Sequence, residues 1–415
     1  MRKKLATLFL VLFFFLMACP LSTSIMPQGL ALAAVKPVEI EPFSNPYPQV
    51  SPDMQHSQET MEAIDLTALQ QFLDQLEHDQ GRFLPSINFS TLLQDIRDGK
   101  VSFSLSAILQ GILTYLFHEV LANTALMGQL VILAVVVAIL NYMQASFDGG
   151  TTSKVAFAAG YMVLITIALH SFYSAVQTGR DAIDDMVQFM QAILPIMLTL
   201  LTAMGAFASG ALFHPIILGT ITLISTLIKN WIFPLIFFAT VLGIINHLSP
   251  KFKTKNLYNL VKDGYKLLMG LLVTLFLGVI SIYGAVGAVA DGLTLRTAKY
   301  ATDAFIPVVG GLITDSFELL INSSILLKNG LGLVAALIII VLTVLPALKI
   351  LAMVIVYRLI GALLQPIGDS PLSDCLEVIG SSLALIFGAV ATVGMMFFLA
   401  LAIVVGAGNI TVMMR

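Results

Sequence analysis

The chain has 415 residues, 58% of them hydrophobic and only 11% charged, with a mean hydropathy of +0.94; an ordinary soluble domain carries about 25% charged residues, so a water-soluble enzyme is excluded as the main body of the fold. A formal net charge of -3 and a pI near 6.1 leave no extended basic face for nucleic-acid phosphates. Two cysteines, Cys19 and Cys375, exclude a disulfide framework.

The first 33 residues read as an export signal. Arg2, Lys3 and Lys4 precede an apolar run from Leu5 to Ala18, and Ala31-Leu32-Ala33 supplies the small-x-small pattern for cleavage after Ala33. A lipoprotein signal competes with it, because Leu16-Met17-Ala18-Cys19 approximates a lipobox, although Pro20 follows the cysteine. An uncleaved anchor is also open, but a run of about 14 residues is short for a span that needs about 20. Residues 34–58 form a Pro-rich linker, in which Pro37, Pro42, Pro46, Pro48 and Pro52 disfavour helix.

Residues 59–124 read as a small extracytoplasmic helical region. Leu69, Phe72, Leu73 and Leu76 share one face, and Leu92, Leu93 and Ile96 repeat the pattern briefly. A stronger stripe runs from Leu105 through Ile108, Leu109, Ile112, Leu113, Leu116, Phe117 and Val120 to Leu121, with Ser104 as N-cap. It predicts an amphipathic helix that lies on the bilayer surface, packs on its neighbours or docks a partner.

Residues 125–415 predict an all-α fold, a polytopic transmembrane helical bundle of eight or nine spans. The apolar runs are 125–144, 155–176, 187–208, 212–228, 231–248, 267–290, 331–353 and 378–404, with a more polar ninth candidate at 304–327. One straight helix over 211–248 would be about 57 Å long at 1.5 Å per residue, against a hydrocarbon core of about 30 Å. It would also hold Lys229 near mid-bilayer at a cost on the order of 3 kcal/mol. Two shorter helices, with Lys229-Asn230 at an interfacial hairpin beside Trp231, avoid both problems.

Between Ser249 and Lys266 lie Lys251, Lys253, Lys255, Lys262 and Lys266 against one acid, Asp263, which marks a cytoplasmic loop. Counting back through five crossings puts residues 34–124 outside, as an export signal requires, together with the polar segment holding Arg180, Asp181, Asp184 and Asp185. Ser225-Thr226-Leu227-Ile228-Lys229-Asn230 recurs as Ser324-Ile325-Leu326-Leu327-Lys328-Asn329, which suggests an internal repeat of 187–290 and 299–405. With nine crossings the copies have opposite topology, as in many transporters; chance similarity of apolar segments is the other reading.

Few residues carry recognisable chemistry. His118-Glu119 lacks the second helical histidine of a zincin, since Ala122 stands there, and six scattered histidines have no ligand spacing. No cofactor or metal is expected, and the absence of a GxxxxGK[ST] loop means that any ATP-driven work comes from a partner. The segment 291–300 packs Asp291, Arg296 and Lys299 between apolar runs, with Asp303, Asp315 and Glu318 just beyond. It is either a wet connecting loop with local ion pairs or a re-entrant, pore-lining element, because lipid cannot satisfy such groups. Lys349 and Arg358 fit residues that snorkel toward opposite interfaces.

Several polar motifs stand out from this apolar background: Tyr115-Leu116-Phe117-His118-Glu119-Val120-Leu121-Ala122-Asn123, Phe213-His214-Pro215, Asp291-Gly292-Leu293-Thr294-Leu295-Arg296-Thr297-Ala298-Lys299, Phe305-Ile306-Pro307-Val308, Leu364-Gln365-Pro366 and Gly408-Asn409-Ile410-Thr411-Val412-Met413-Met414-Arg415. Through them the chain resembles the stage III sporulation protein AE family of endospore-forming bacteria, from about residue 90 to the C-terminus. The resemblance implies a non-enzymatic membrane component of the multi-protein channel between mother cell and forespore. It would sit in the mother-cell membrane beside other channel proteins and a secretion-type ATPase, with its N-terminal region extracytoplasmic and self-association open. The resemblance implies no catalytic residues. An autonomous secondary transporter with a substrate site near Asp291, Arg296, Asp315 and Glu318 is the alternative.

Overall fold

The computed structural model describes residues 105–146, 151–204, 206–248, 254–305, 310–365 and 371–413, with the side chains of 291–323 and of some positions near helix ends outside that description. The expected signal at 1–33, its cleavage after Ala33 or at Cys19, the linker 34–58 and the helical pattern over 59–104 lie outside the described residues.

Among the described residues the elements are all helical. In chain order they are α1 (Leu105–Ala122), α2 (Thr124–Ser146), α3 (Thr151–Ala203), α4 (Phe207–Leu227), a π turn (Ile228–Ile232), α5 (Phe233–Leu248), α6 (Lys255–Phe305), α7 (Gly310–Leu364) and α8 (Pro371–Met413). Five stretches are long and apolar enough to cross a membrane: Ala158–Ala203, Ser209–His247, Lys255–Gly284, Leu327–Leu364 and Pro371–Gly406. The pair Gln110–Ala122 and Thr124–Ile139, bent by 46°, makes a sixth if counted as one span. This composition and length fit a multi-pass membrane protein.

Two expected breaks between spans are not found. The run 155–176 and the run 187–208 as far as Ala203 belong to one helix, α3, of 53 residues, about 80 Å long at 1.5 Å per residue. Helix persists through its charged middle because Ala175, Val176, Gly179, Ala182, Ile183 and Met186 keep the spacing of three or four that faces the core. The hairpin expected at Lys229-Asn230 is also absent. α4, the π turn and α5 follow one another without a reversal, and the residues on both sides of the turn keep right-handed helical backbone angles.

α7 and α8 form an antiparallel hairpin that packs on α3, and these three helices make the centre of the bundle. Gly394 of α8 lies so close to Thr343 of α7, and Gly332 of α7 to Val405 of α8, that a Cβ on either glycine would collide with the opposing side chain. Small residues permit such close crossing where lipid offers no hydrophobic drive for association. Tyr357 donates its hydroxyl proton to the Ala168 carbonyl at 3.1 Å, tying α7 to α3, and Tyr265 donates to the Leu385 carbonyl at 3.0 Å, tying α6 to α8. The segment 291–300, expected as a loop or a re-entrant element, is the continuation of α6. Its weakest helix former, Gly292, costs only about 1 kcal/mol in a helix interior.

α1 turns into α2 at Asn123, whose side-chain amide donates to the Glu119 carbonyl at 2.8 Å while the Thr124 hydroxyl donates to the Leu121 carbonyl at 2.6 Å. The Glu119 carbonyl also accepts the Asn123 backbone N–H at 3.2 Å, so the Asn123 side chain adds a second donor there, while Thr124 serves the Leu121 carbonyl at the bend. Leu113, Phe117 and Leu121 face outward from α1.

Candidate functional site

The most concentrated interhelical charge among the described residues lies where α3 passes the π turn. Its origin is local. Pro234 has no backbone N–H, and the Phe233 N–H donates to the Ile228 carbonyl, one residue further back than in an α-helix. The Lys229 carbonyl is left without its usual backbone donor, and a buried unpaired carbonyl is costly. Arg180 of α3 supplies the missing donor, placing Nη2 3.0 Å from that oxygen. The Lys229 ammonium in turn pairs with the Asp184 carboxylate, one helical turn along α3.

Lys229 and Asp184 are partly buried, with side-chain exposures of 22% and 45%, so the pair opens outward. On that side the Gln177 amide donates to Asp181 at 2.7 Å. Behind it, α3 approaches the other helices through Gly179, where a Cβ would stand 3.2 Å from Phe233, Ile386 and Val390 side chains. The ring centroids of Phe172 and Phe237 lie 6.0 Å apart beside it. A π turn, a proline and a compensated charge pair therefore share one point of the bundle; such turns recur at functional sites.

Two smaller polar joints brace other helices. Lys328, whose side chain is fully buried, donates to the Val405 carbonyl at 2.8 Å. At one end of the bundle His247 Nε2 stands 4.0 Å from Asp374 Oδ2, and Thr254 donates to the Leu242 carbonyl at 3.1 Å.

The residues named from sequence fall elsewhere. Asp291, Arg296, Lys299 and Asp303 ride on the C-terminal part of α6, and Asp315 and Glu318 on the N-terminal part of α7; their side chains, and residues 306–309 between the helices, lie outside the described residues. The Arg180, Asp184 and Lys229 site was not singled out. Its signal is a pair of opposite charges that interrupt otherwise apolar stretches, Asp184 between 155–176 and 187–208 and Lys229 between 212–228 and 231–248.

The description Stage III sporulation protein AE matches residues 87–408. The chain belongs to the stage III sporulation protein AE family. It is 40% identical over 361 residues to the Stage III sporulation protein AE of Bacillus subtilis (strain 168), covering 87% of this chain and 90% of that one. No solved structure matches. The family match contains every element described above except the last residues of α8, so the π-turn site and the charged segment 291–318 both belong to the family region.

Proposed function

We propose that this chain is a non-enzymatic, multi-pass component of the transport channel between mother cell and forespore, held in the mother-cell membrane. Membership of a sporulation family over most of the chain supports the role in sporulation. The observation that favours a conduit or platform is the outward-opening charge site on α3 and the π turn, because groups of this kind at membrane depth need water or a protein partner. Energy comes from a partner ATPase of the secretion type, and other channel proteins complete the assembly.

Eight or nine crossings become six if α3 and the α4–α5 rod each cross once. The orientation argument survives this change. Three crossings or five precede the lysine segment 251–266, and both numbers are odd, so the N-terminal region stays outside if the lysines are cytoplasmic. Purification from sporulating cells tests the reading. Co-purification with a secretion-type ATPase and other envelope proteins is expected; a purified chain that by itself moves a solute into liposomes would favour the transporter instead.

A further inference from the structure

The outward face of α3 differs from that of α6. From Gln177 onward the exposed positions are Gln177, Asp181, Gln188, Gln191, Pro195 and Thr199, with Ala203 at the end. They recur at helical spacing, with the half-buried Asp184 filling the longest gap. Within α3 no large apolar side chain is exposed from Ser174 to Ala203. From Gln177 to Thr199 this stripe is about 33 Å long at 1.5 Å per residue, and the hydrocarbon core is about 30 Å thick.

α4 extends the face. It runs antiparallel to α3, with Gly210 against Thr202 at one end and Lys229 on Asp184 at the other. The exposed positions of α4 and the π turn include Gly219, Thr222, Thr226 and Asn230 at spacings of three and four, beside Ala211, Pro215 and the large apolar Leu223 and Trp231. The threonines and Asn230 thus lie alongside the glutamines and aspartates of α3.

α6 shows what a lipid-facing surface looks like at the same depth. Gly287 backs onto Ser209 and Gly243 onto Tyr258, so 258–287 of α6 runs alongside 209–243 of the rod. Between those points α6 turns Leu267, Leu271, Leu275, Leu277, Ile282 and Val286 outward. The α6 face is leucine-rich, and the α3–α4 face, level with it, presents amide, hydroxyl and carboxylate groups among small residues and a single exposed leucine. Hydrocarbon satisfies the first and not the second.

We infer that the α3–α4 face is one wall of a water-filled passage across the membrane, closed by the same face of further copies of this chain. Two helices cannot enclose a passage, so the site is incomplete in one chain. The face is compatible with its own copy because glutamine, asparagine and threonine both donate and accept hydrogen bonds, while Lys229 answers Asp184 and Gln177 binds Asp181. The inference rests on the channel reading above and specifies the surface that would carry it.

Full-length chains carrying Gln188→Cys, Gln191→Cys, Thr226→Cys, Leu271→Cys or Leu275→Cys are expressed in sporulating cells, permeabilised so that both membrane faces are reached. An impermeant sulfonatoethyl methanethiosulfonate is applied, with the unsubstituted chain as blank. The first three should react at least about tenfold faster than the two leucine positions, since the reactive thiolate forms in water and not in hydrocarbon. A short bifunctional thiol reagent should link two copies through Gln191→Cys and not through Leu275→Cys. Equal rates on the two faces would overturn the proposal, and so would fast labelling with no link between copies at any of the three positions. Sporulation and ATPase co-purification are scored in the same strains. If both persist while labelling fails, the passage is refuted and the channel-component reading stands.

Discussion

Removing one partner of the Asp184–Lys229 pair at a time separates charge compensation from simple packing. Asp184→Ala leaves an ammonium that is mostly buried between α3 and the π turn, still next to Arg180. A fully buried pair broken in this way costs about 3–5 kcal/mol. Here the carboxylate is close to half exposed, so water screens part of the interaction and about 2 kcal/mol is the expected loss. Lys229→Met retains the aliphatic stem and leaves a carboxylate that can hydrate, at about 1 kcal/mol. The double variant should lose about 1 kcal/mol rather than the sum, because no unpaired charge remains. Trp231, the single tryptophan, sits in the π turn beside the pair, so thermal unfolding in detergent followed by its fluorescence reads this site directly. At about 2 °C per kcal/mol for a chain of this size, Asp184→Ala should unfold about 4 °C early and the double variant about 2 °C early. Single-variant effects that simply add in the double would refute the pairing as the reason that charge is tolerated there.

Pro234→Ala restores a backbone donor, so the turn should relax toward α-helical register and Arg180→Met should become less destabilising in that background, by about 1 kcal/mol for the hydrogen bond no longer needed; the same fluorescence melt checks it. Gly394→Ala pushes a methyl into Thr343 and should cost about 1–3 kcal/mol, largely restored by Thr343→Ala, which opens the space; size-exclusion monodispersity after heating checks both. Arg296→Glu and Asp315→Arg should each lower spore yield while the chain accumulates at normal levels by immunoblot, and full sporulation in both would remove 291–318 from the functional surface.

Composition and periodicity were enough for an all-helical, apolar bundle, and the runs 331–353 and 378–404 are the cores of α7 and α8. The amphipathic stripe from Leu105 to Leu121 is α1, with Leu113, Phe117 and Leu121 turned outward. What could not be read from sequence was continuity. Arg180, Asp184 and Lys229 each count against a span when every residue is weighed by its own cost of leaving water. The cost falls once a partner 45 residues away on another helix answers it, as Asp184 answers Lys229, and such pairing is not written into local pattern. The π turn was similarly hidden, because Pro234 signals a lost donor but not whether the chain ends there or finds Arg180. Segment 291–300 misled in the opposite direction, since charge and threonine suggested a loop where good helix formers such as Leu293, Leu295 and Ala298 carry α6 onward.

The repeated motif is sharpened by the same continuity. Ser225 and Ser324 are both buried, and the lysines four residues on both reach across to another helix, Lys229 to the Asp184 carboxylate and Lys328 to the Val405 carbonyl. Each motif lies in a long helical rod that leads through a short connection into another long helix, α4–α5 into α6 and α7 into α8. A two-fold axis in the membrane plane would place those two connections at opposite ends. Instead, His247 at the end of α5 stands 4.0 Å from Asp374 at the start of α8, and Gly243 meets Val378 one turn back. Both connections therefore leave the bundle at the same end, which a parallel repeat requires and an inverted one forbids. Ser249→Cys and Ser370→Cys should accordingly react with an impermeant thiol reagent from the same side of the membrane; reaction from opposite sides would restore the inverted repeat and with it the need for an additional crossing between them.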